Sequence, residues 1–215
     1  MLPMYAYLLV PNKSMFMSNL AQYVHLRSQQ ASLIIDCRRN TPEVLYWGKV
    51  LSKNTCPEML GILQTRQEAK CALVEEVPIS LSPCLGNGFT GQPALDLFDN
   101  GIAWSVGASL QAIKQDNDQS VVFVSFDETR QIELTHTIDL DFDTNVISAS
   151  TRIKNLADSL LNVNYCAAPT FSMPDHISKV LSFEGRWSME FQQNSIDLFL
   201  GAFVRENRKG KTSHD

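Results

Sequence analysis

The clearest signal in the chain is a period-two alternation over residues 131–143. Ile132, Leu134, His136, Ile138, Leu140 and Phe142 fall on one phase, and Gln131, Glu133, Thr135, Thr137, Asp139, Asp141 and Asp143 on the other. Successive side chains of a strand point to opposite faces. The pattern therefore predicts a long strand with one buried and one wet face, as antiparallel sheets have. Thr144-Asn145 reads as a turn. Residues 146–154 then return with Ile147, Ala149, Thr151 and Ile153 on one side and Ser148, Ser150, Arg152 and Lys154 on the other. The two strands predict a hairpin whose basic outer face can meet the acidic face of its partner.

The same reading finds strands elsewhere. Residues 22–27 alternate, with Tyr23 and His25 on one side and Val24 and Leu26 on the other. Runs at 31–37, 43–49 and 120–126 are rich in branched and aromatic residues, which fit a pleated surface. Residues 94–98 form a short strand closed by Asp99-Asn100-Gly101, and Asn-Gly is a strong hairpin signal. Leu161, Val163, Tyr165 and Ala167 alternate again, and residues 180–183, 188–192 and 198–204 complete the series. Residues 52–72 change character: Met59, Leu60, Ile62 and Leu63 recur at near-helical spacing, with Pro57 suited to a first helical turn. This predicts a long loop carrying a short helix. Gly86-Asn87-Gly88-Phe89-Thr90-Gly91 predicts a tight bend; it lacks the lysine and helix of a phosphate loop. Short strands with frequent turns and no βαβ alternation indicate an all-β antiparallel sandwich.

Composition narrows the function. A chain of 215 residues is long enough for one large domain with a sizeable core. Its net charge of -5 argues against a nucleic-acid partner, which requires a basic face. No apolar run reaches the ~18 residues of a membrane helix. Residues 1–21 begin apolar but lack the basic start and clean cleavage site of a secretory signal, and are expected to be an N-terminal extension or edge strand. Five cysteines, Cys37, Cys56, Cys71, Cys84 and Cys166, are odd in number, widely spaced and without a CxxC pair. That pattern predicts free thiols in the cytoplasm, with no zinc site and no cofactor. Asn12-Lys13-Ser14 matches a glycosylation triplet that would be silent there.

Candidate chemistry is sparse. Asp139, Asp141 and Asp143 would share a strand face and could bind a cation, or form a solvated face opposite Arg152 and Lys154. The histidines, His25, His136, His176 and His214, fall in no metal or protease pattern; His136 takes an apolar slot and reads as a core residue. Cys37 beside Arg38 and Arg39 is the one thiol with basic neighbours, and an inert thiol is the expectation there. Trp47 and Trp104 read as packing residues. Trp187, in Phe183-Glu184-Gly185-Arg186-Trp187-Ser188, sits at a predicted tip beside Arg186 and Glu190. A ring there can stack on a sugar while charged neighbours bond its hydroxyls; the alternative is a core or interface tryptophan. Arg205, Arg208, Lys209 and Lys211 give the chain a basic ending that reads either as a solvated linker or as arginines pairing with carboxylates of a following domain. The polar ending predicts a chain cut from something longer.

Four stretches together resemble the N-terminal β-supersandwich domain of glycoside hydrolase family 36 α-galactosidases. They are Leu45-Tyr46-Trp47-Gly48-Lys49, residues 83–91 with the following Asp99-Asn100-Gly101 turn, the 183–188 segment, and Arg205-Glu206-Asn207-Arg208-Lys209-Gly210-Lys211-Thr212-Ser213-His214. The last is similar to an ENRRGRTSH-type segment of the family, and the resemblance runs from about residue 22 to the end. It implies a galactose mutarotase-like β-supersandwich over 22–204, with 205–215 starting the linker to a catalytic (β/α)8 barrel. It implies a retaining hydrolase cleaving terminal α-galactose from melibiose and raffinose-type sugars. Such chemistry uses two carboxyls about 5 Å apart. In the family both lie on the barrel, which alone takes about 250 residues, so neither is expected here. Trp187 occupies the position of a family tryptophan that reaches the galactose pocket. Family members also use an acidic residue of an early loop across a subunit interface. The region here, 50–78, offers Glu58, Glu68, Glu75 and Glu76 and no aspartate, so that residue cannot be assigned. The partners implied are an α-galactoside, the chain's own barrel and further copies in a homo-oligomer. Two other readings stay open from the residues: a free-standing carbohydrate-binding sandwich, and a structural domain mediating oligomerisation.

Overall fold

A computed structural model describes residues 20–64, 77, 79–99, 101–103, 105–174, 176–199 and 201–206. It contains twelve strands: β1 (Tyr23–Arg27), β2 (Ala31–Asp36), β3 (Glu43–Lys49), β4 (Leu95–Asp99), β5 (Ile102–Ala103), β6 (Ser109–Lys114), β7 (Ser120–Asp127), β8 (Ile132–Leu140), β9 (Ile147–Asn155), β10 (Leu161–Cys166), β11 (Lys179–Arg186) and β12 (Met189–Asp197). A single turn of helix, α1 (Pro57–Leu60), continues into a 3-10 turn at Gly61–Gln64, and a second 3-10 turn covers Leu85–Asn87. As expected, Pro57 opens the helix, where its missing N–H costs nothing. Every strand pairing is antiparallel. Among the described residues, no helix is long and apolar enough to cross a membrane.

The chain divides into two compact units, Met1–Ser172 and Met173–Asp215. The first is built on the four-stranded sheet β6-β7-β8-β9. Its register follows from the alternation: β8 buries Ile132, Leu134, His136, Ile138 and Leu140, and β7 buries Val121, Phe123, Ser125 and Asp127. Two smaller sheets pack on this buried face. Sheet β1-β2-β3 contributes Val24, Leu26, Leu33, Ile35 and Val44, which meet Leu110, Val121, Phe123, Ile138 and Leu140. Sheet β10-β4-β5 contributes Leu95 and Leu97, which meet Ile132 and Leu134 together with Cys84, Val106 and Ala108. Each large side chain so removed from water adds about 1.5–3 kcal/mol before chain entropy is charged. The core is thus two clusters on one sheet, and His136 lies between the β8 residues that serve one cluster and those that serve the other.

Polar groups fix the edges of this sandwich. Asp127, buried at the end of β7, accepts from Gly107 N at 2.8 Å, Thr129 N at 2.9 Å and Arg130 N at 3.0 Å. Its carboxylate therefore closes the β7–β8 turn and ties it to the segment before β6. Asp36 is held by Arg38 in a two-pronged pair, with Nη2–Oδ2 at 2.6 Å, and the guanidinium lies 4.9 Å from the centre of the Tyr23 ring. Gly86 is needed for close approach: a Cβ there would come within 2.8 Å of the Gly107 Cα.

Strands β5 and β6 answer to no strand expected from the sequence, and the structure departs from expectation at two further points. The wet phase of 131–143 does not continue as strand beyond Leu140. Asp141 Oδ1 accepts from both Thr144 N (2.8 Å) and Thr144 Oγ1 (2.6 Å), which turns the chain and leaves Phe142 half-exposed. Asp139, Asp141 and Asp143 therefore do not line one strand face. The expected strand at 198–204 is also absent at its described residues, because β12 ends at Asp197 and no strand pairs beyond it. The second unit is the β11–β12 hairpin.

Candidate functional site

The hairpin β11–β12 is where the strongest sequence candidate lies. Arg186 pairs with Met189 across a two-residue turn, Trp187-Ser188. Ser188 adopts φ 66, the left-handed conformation such a turn requires. Glu190 Oε1 accepts from Ser188 N at 3.0 Å, so the carboxylate clamps the turn from inside the hairpin. Just below, the register shifts: Glu184 pairs with Gln192 and Arg186 with Met189, so Glu190 and Phe191 together oppose Gly185. This is a β-bulge, and it bends the hairpin beneath its tip. Phe191 takes φ 55 in the bulge. Gly185 is required there, since a Cβ would lie 2.7 Å from Met189 O and 2.8 Å from the Glu190 Cα. The predicted Gly-Arg-Trp tip is thus refined: Trp187 and Ser188 form the turn, and Gly185 makes the bulge that supports it.

Trp187 is 87% exposed on that turn. A large aromatic carried into solvent on a clamped turn has an unspent apolar face, and Arg186 beside it supplies a donor. Arg186 Nη2 lies 3.5 Å from Met189 Sδ and points its guanidinium along the same tip. Phe183, Met189 and Phe191 are exposed on the same hairpin. The arrangement can offer flat apolar surface and a charged donor to a ligand that combines C–H faces with hydroxyls.

The other candidates are accounted for by structure. Trp47 packs edge-on against Phe171, ring centres 6.4 Å apart, and its Nε1 donates to Ser172 O at 2.8 Å. His25 Nε2 is 3.0 Å from Ser32 Oγ, and burial, then the nearby Arg27 charge, lowers its pKa. His136 Nδ1 is 3.1 Å from Thr151 Oγ1, and burial pushes its pKa down to about 4. Burial likewise pushes the Cys37 thiol up to about 12 and raises Cys84, so neither is a ready nucleophile. The guanidinium that flanks Cys37 in the sequence, Arg38, is engaged by Asp36. Cys37, Cys84 and Cys166 are free thiols. His176 is exposed.

The acidic cluster is divided among separate tasks. Asp141 caps the Thr144 turn, whereas Asp143 Oδ1 accepts from Gln29 Nε2 at 3.1 Å. Asp139 stands opposite Ser148, not opposite a cation; the basic residues of β9 face Glu133 (Lys154) and Thr135 (Arg152). Among the described residues, no group of three His, Cys, Asp or Glu is placed to hold a metal ion. Cys71, Trp104, His214, Arg208, Lys209, Lys211, Glu68, Glu75, Glu76 and the Glu58 side chain lie outside the described residues. Arg205 is described and exposed.

Two features were not singled out from the sequence. Ser80, Ser125 and His136 face a common crevice in the first unit. The signal for it is partial: Ser125 sits on the buried phase of β7, as His136 does on β8. The bulge under the tip has its signal in Gly185, which periodicity passes over.

Comparison with known proteins bears on this hairpin. The profile of the glycosyl hydrolase family 36 N-terminal domain matches residues 40–215. An α-galactosidase of Escherichia coli is 27% identical over 196 residues, which cover 91% of this chain and 27% of that protein. The galactosidase domain of the α-galactosidase-sucrose kinase AgaSK superposes with a TM-score of 0.75 at 18% identity, over 90% of this chain and 31% of its own. A variant of the α-galactosidase AgaA from Geobacillus stearothermophilus, in complex with raffinose, gives 0.70 at 19% identity, over 89% of this chain and 30% of its own. The chain therefore spans less than a third of the length of each of these relatives.

Proposed function

This chain belongs to the glycosyl hydrolase family 36 N-terminal domain family, and from that premise we propose that it is the non-catalytic N-terminal domain of an α-galactosidase. In this reading Trp187 is a finger that contacts galactose in a pocket whose two catalytic carboxylates are carried by a (β/α)8 barrel. The single observation that carries it is the presentation of Trp187, 87% exposed on a turn clamped by Glu190. A ring needed only for packing would be buried, as tryptophans mostly are. Exposed apolar residues along the same hairpin, Leu181, Phe183, Met189 and Phe191, support a role in docking, since contiguous apolar surface marks interaction sites. The docking partners proposed are the catalytic barrel and further copies of the protein in a cytoplasmic homo-oligomer. Raffinose-type sugars are the proposed substrates of the assembled enzyme.

The reading excludes turnover by this chain alone. Purified 1–215 is expected to leave a nitrophenyl α-galactoside intact, and measurable hydrolysis would overturn it. In a protein joining this chain to a family 36 barrel, Trp187→Ala is expected to lower kcat/KM for α-galactosides roughly tenfold or more. Unchanged kinetics would return Trp187 to a packing role. Calorimetry separates the second reading, a free-standing sugar-binding module, which the exposed ring also fits. Galactose binding by the isolated chain favours the module, and its absence favours a half-site completed by the barrel.

A further inference from the structure

Between the two core clusters of the first unit lies a crevice of about 20 Å³. Its walls include the apolar side chains of Leu81, Val106 and Leu134; Thr41, Ser82 and Asn87 also reach it, and three further polar groups line it, Ser80, Ser125 and His136. Ser80, Ser125 and His136 are 4%, 5% and 2% exposed, so each is more than nine-tenths buried. The three come from separate places. Ser80 stands at an isolated bridge to Glu43, Ser125 is on the buried phase of β7, and His136 is on the buried phase of β8.

His136 uses Nδ1 on Thr151 Oγ1, which leaves Nε2 for the crevice. Among the described residues, neither the Ser80 nor the Ser125 hydroxyl has a hydrogen-bond partner in the protein. By contrast, the Ser82 hydroxyl at the same crevice bonds Cys84, and Asn87 Nδ2 donates to Ala108 O at 3.3 Å. Thr41, which also lines the crevice, is only half-buried, so among its buried polar side chains the unmet capacity falls on Ser80, Ser125 and His136.

We propose that this crevice is a specific site for one structural water molecule, held by the Ser80 and Ser125 hydroxyls and His136 Nε2. The volume fits the ligand: a water needs about 10–15 Å³ of such space and two to four polar partners. A hydroxyl can donate or accept, so one water satisfies both serines and the free imidazole nitrogen whichever tautomer His136 holds. A larger ligand does not fit, and a dry site would leave three buried polar groups without partners, which folded proteins avoid. The water would bridge the 80–87 segment to the central sheet where the two apolar clusters meet.

A high-resolution crystal structure of the chain tests this directly. One ordered water within hydrogen-bond distance of at least two of the three groups is the expected result. A dry crevice, or serine rotamers bonded directly to His136 or to backbone, would overturn it. The variant Ser125→Val gives a second readout of opposite sign for the two cases. If water is held there, the added methyls displace it, strand Ser80 and His136, and lower the thermal midpoint. If the crevice is dry, the same methyls fill it and raise the midpoint. The crystal structure of the unmodified chain decides the question whatever the variant does.

Discussion

Asn145 Oδ1 accepts from Ser28 Oγ at 2.7 Å, across 117 residues of sequence. The same oxygen accepts from Gln30 N at 2.9 Å. One amide of the β8–β9 turn thereby holds the turn between β1 and β2, joining the small sheet to the large one at their rim. Asn145 also adopts φ 60, a left-handed conformation that asparagine tolerates better than other side-chain-bearing residues.

Two substitutions separate those roles. Asn145→Gly keeps the backbone conformation and loses both hydrogen bonds; Asn145→Ala loses the bonds and strains the backbone. Asn145→Gly is expected to cost about 1–2 kcal/mol in urea unfolding, and Asn145→Ala about 1 kcal/mol more. Equal effects would show that the left-handed backbone carries no cost here, and no effect from either would show that the cross-link is not stabilising.

His136 makes stability depend on mild acid. Its folded pKa is about 4 because burial disfavours the charged ring, against an ordinary value of 6.5. Above 6.5 both folded and unfolded chains hold the ring neutral, and stability is complete. Between 6.5 and about 4 the unfolded chain takes up a proton that the folded chain refuses, so stability falls with pH; below that this residue causes no further loss. The gap corresponds to about 3 kcal/mol, at ~1.4 kcal/mol per pH unit. His25, lowered by burial and Arg27, acts with the same sign. Asp118, lowered chiefly by its bond to Lys53, and Asp141, lowered by its bonds to Thr144, release their contributions only in stronger acid, below the ordinary carboxyl value. Denaturant titrations of the protein and of His136→Gln across pH 4–7 check this: the variant's curve should be flatter, and an unchanged slope would remove His136 as the cause.

Asp127 offers a larger single loss. It is buried, and its two oxygens satisfy three backbone N–H groups, those of Gly107, Thr129 and Arg130. Asp127→Ala strands these donors at the β7–β8 turn and is expected to destabilise the first unit by about 3 kcal/mol. Asp127→Asn keeps one acceptor oxygen and should fall between. Chemical unfolding followed by far-UV circular dichroism distinguishes the three proteins, and an alanine variant as stable as the parent would assign the closure of the turn to backbone alone.

What could be read from the chain, and what could not, follows from the range of each interaction. The pairing of β7, β8 and β9 is legible because Val121 and Phe123, then Leu134 and Ile138, then Ile147 through Ile153 repeat at the period of a strand. The end of β8 is not. The apolar phase runs on to Phe142, but a side chain–backbone bond from Thr144 to Asp141 overrides it. Residues 198–204 read as a strand because they form an unbroken apolar run, yet among the described residues no strand pairing continues past Asp197 and only Leu198 N reaches across the hairpin, to Ser178 O; an apolar run records a preference for burial, not whether a neighbouring strand exists. The exposed place of Trp187 at a tip is legible from Gly185-Arg186-Trp187, and the bulge beneath it is not, because it arises from a one-residue mismatch between strands. The crevice at Ser80, Ser125 and His136 depends on tertiary register, which brings together three residues that the sequence holds far apart.

That bulge gives the most local of the tests. Gly185 faces Met189 O, the Glu190 Cα and Phe191 N so closely that a Cβ would stand 2.7, 2.8 and 3.0 Å from them. All three are backbone atoms, so no side-chain rotation relieves the contact. Gly185→Ala must therefore shift the β12 backbone, and with it the Glu190 carboxylate that clamps Ser188 N. A lone two-stranded hairpin is marginal in water, and a displacement of this kind costs about 2 kcal/mol or more. The expected outcome is faster amide exchange along β11 and β12 with protection in β7 and β8 unchanged. Trp187→Ala should do neither, because an exposed ring can be removed within about 0.5 kcal/mol. If Gly185→Ala leaves exchange in the hairpin as it was, the close approach at the bulge does not hold the tip in place.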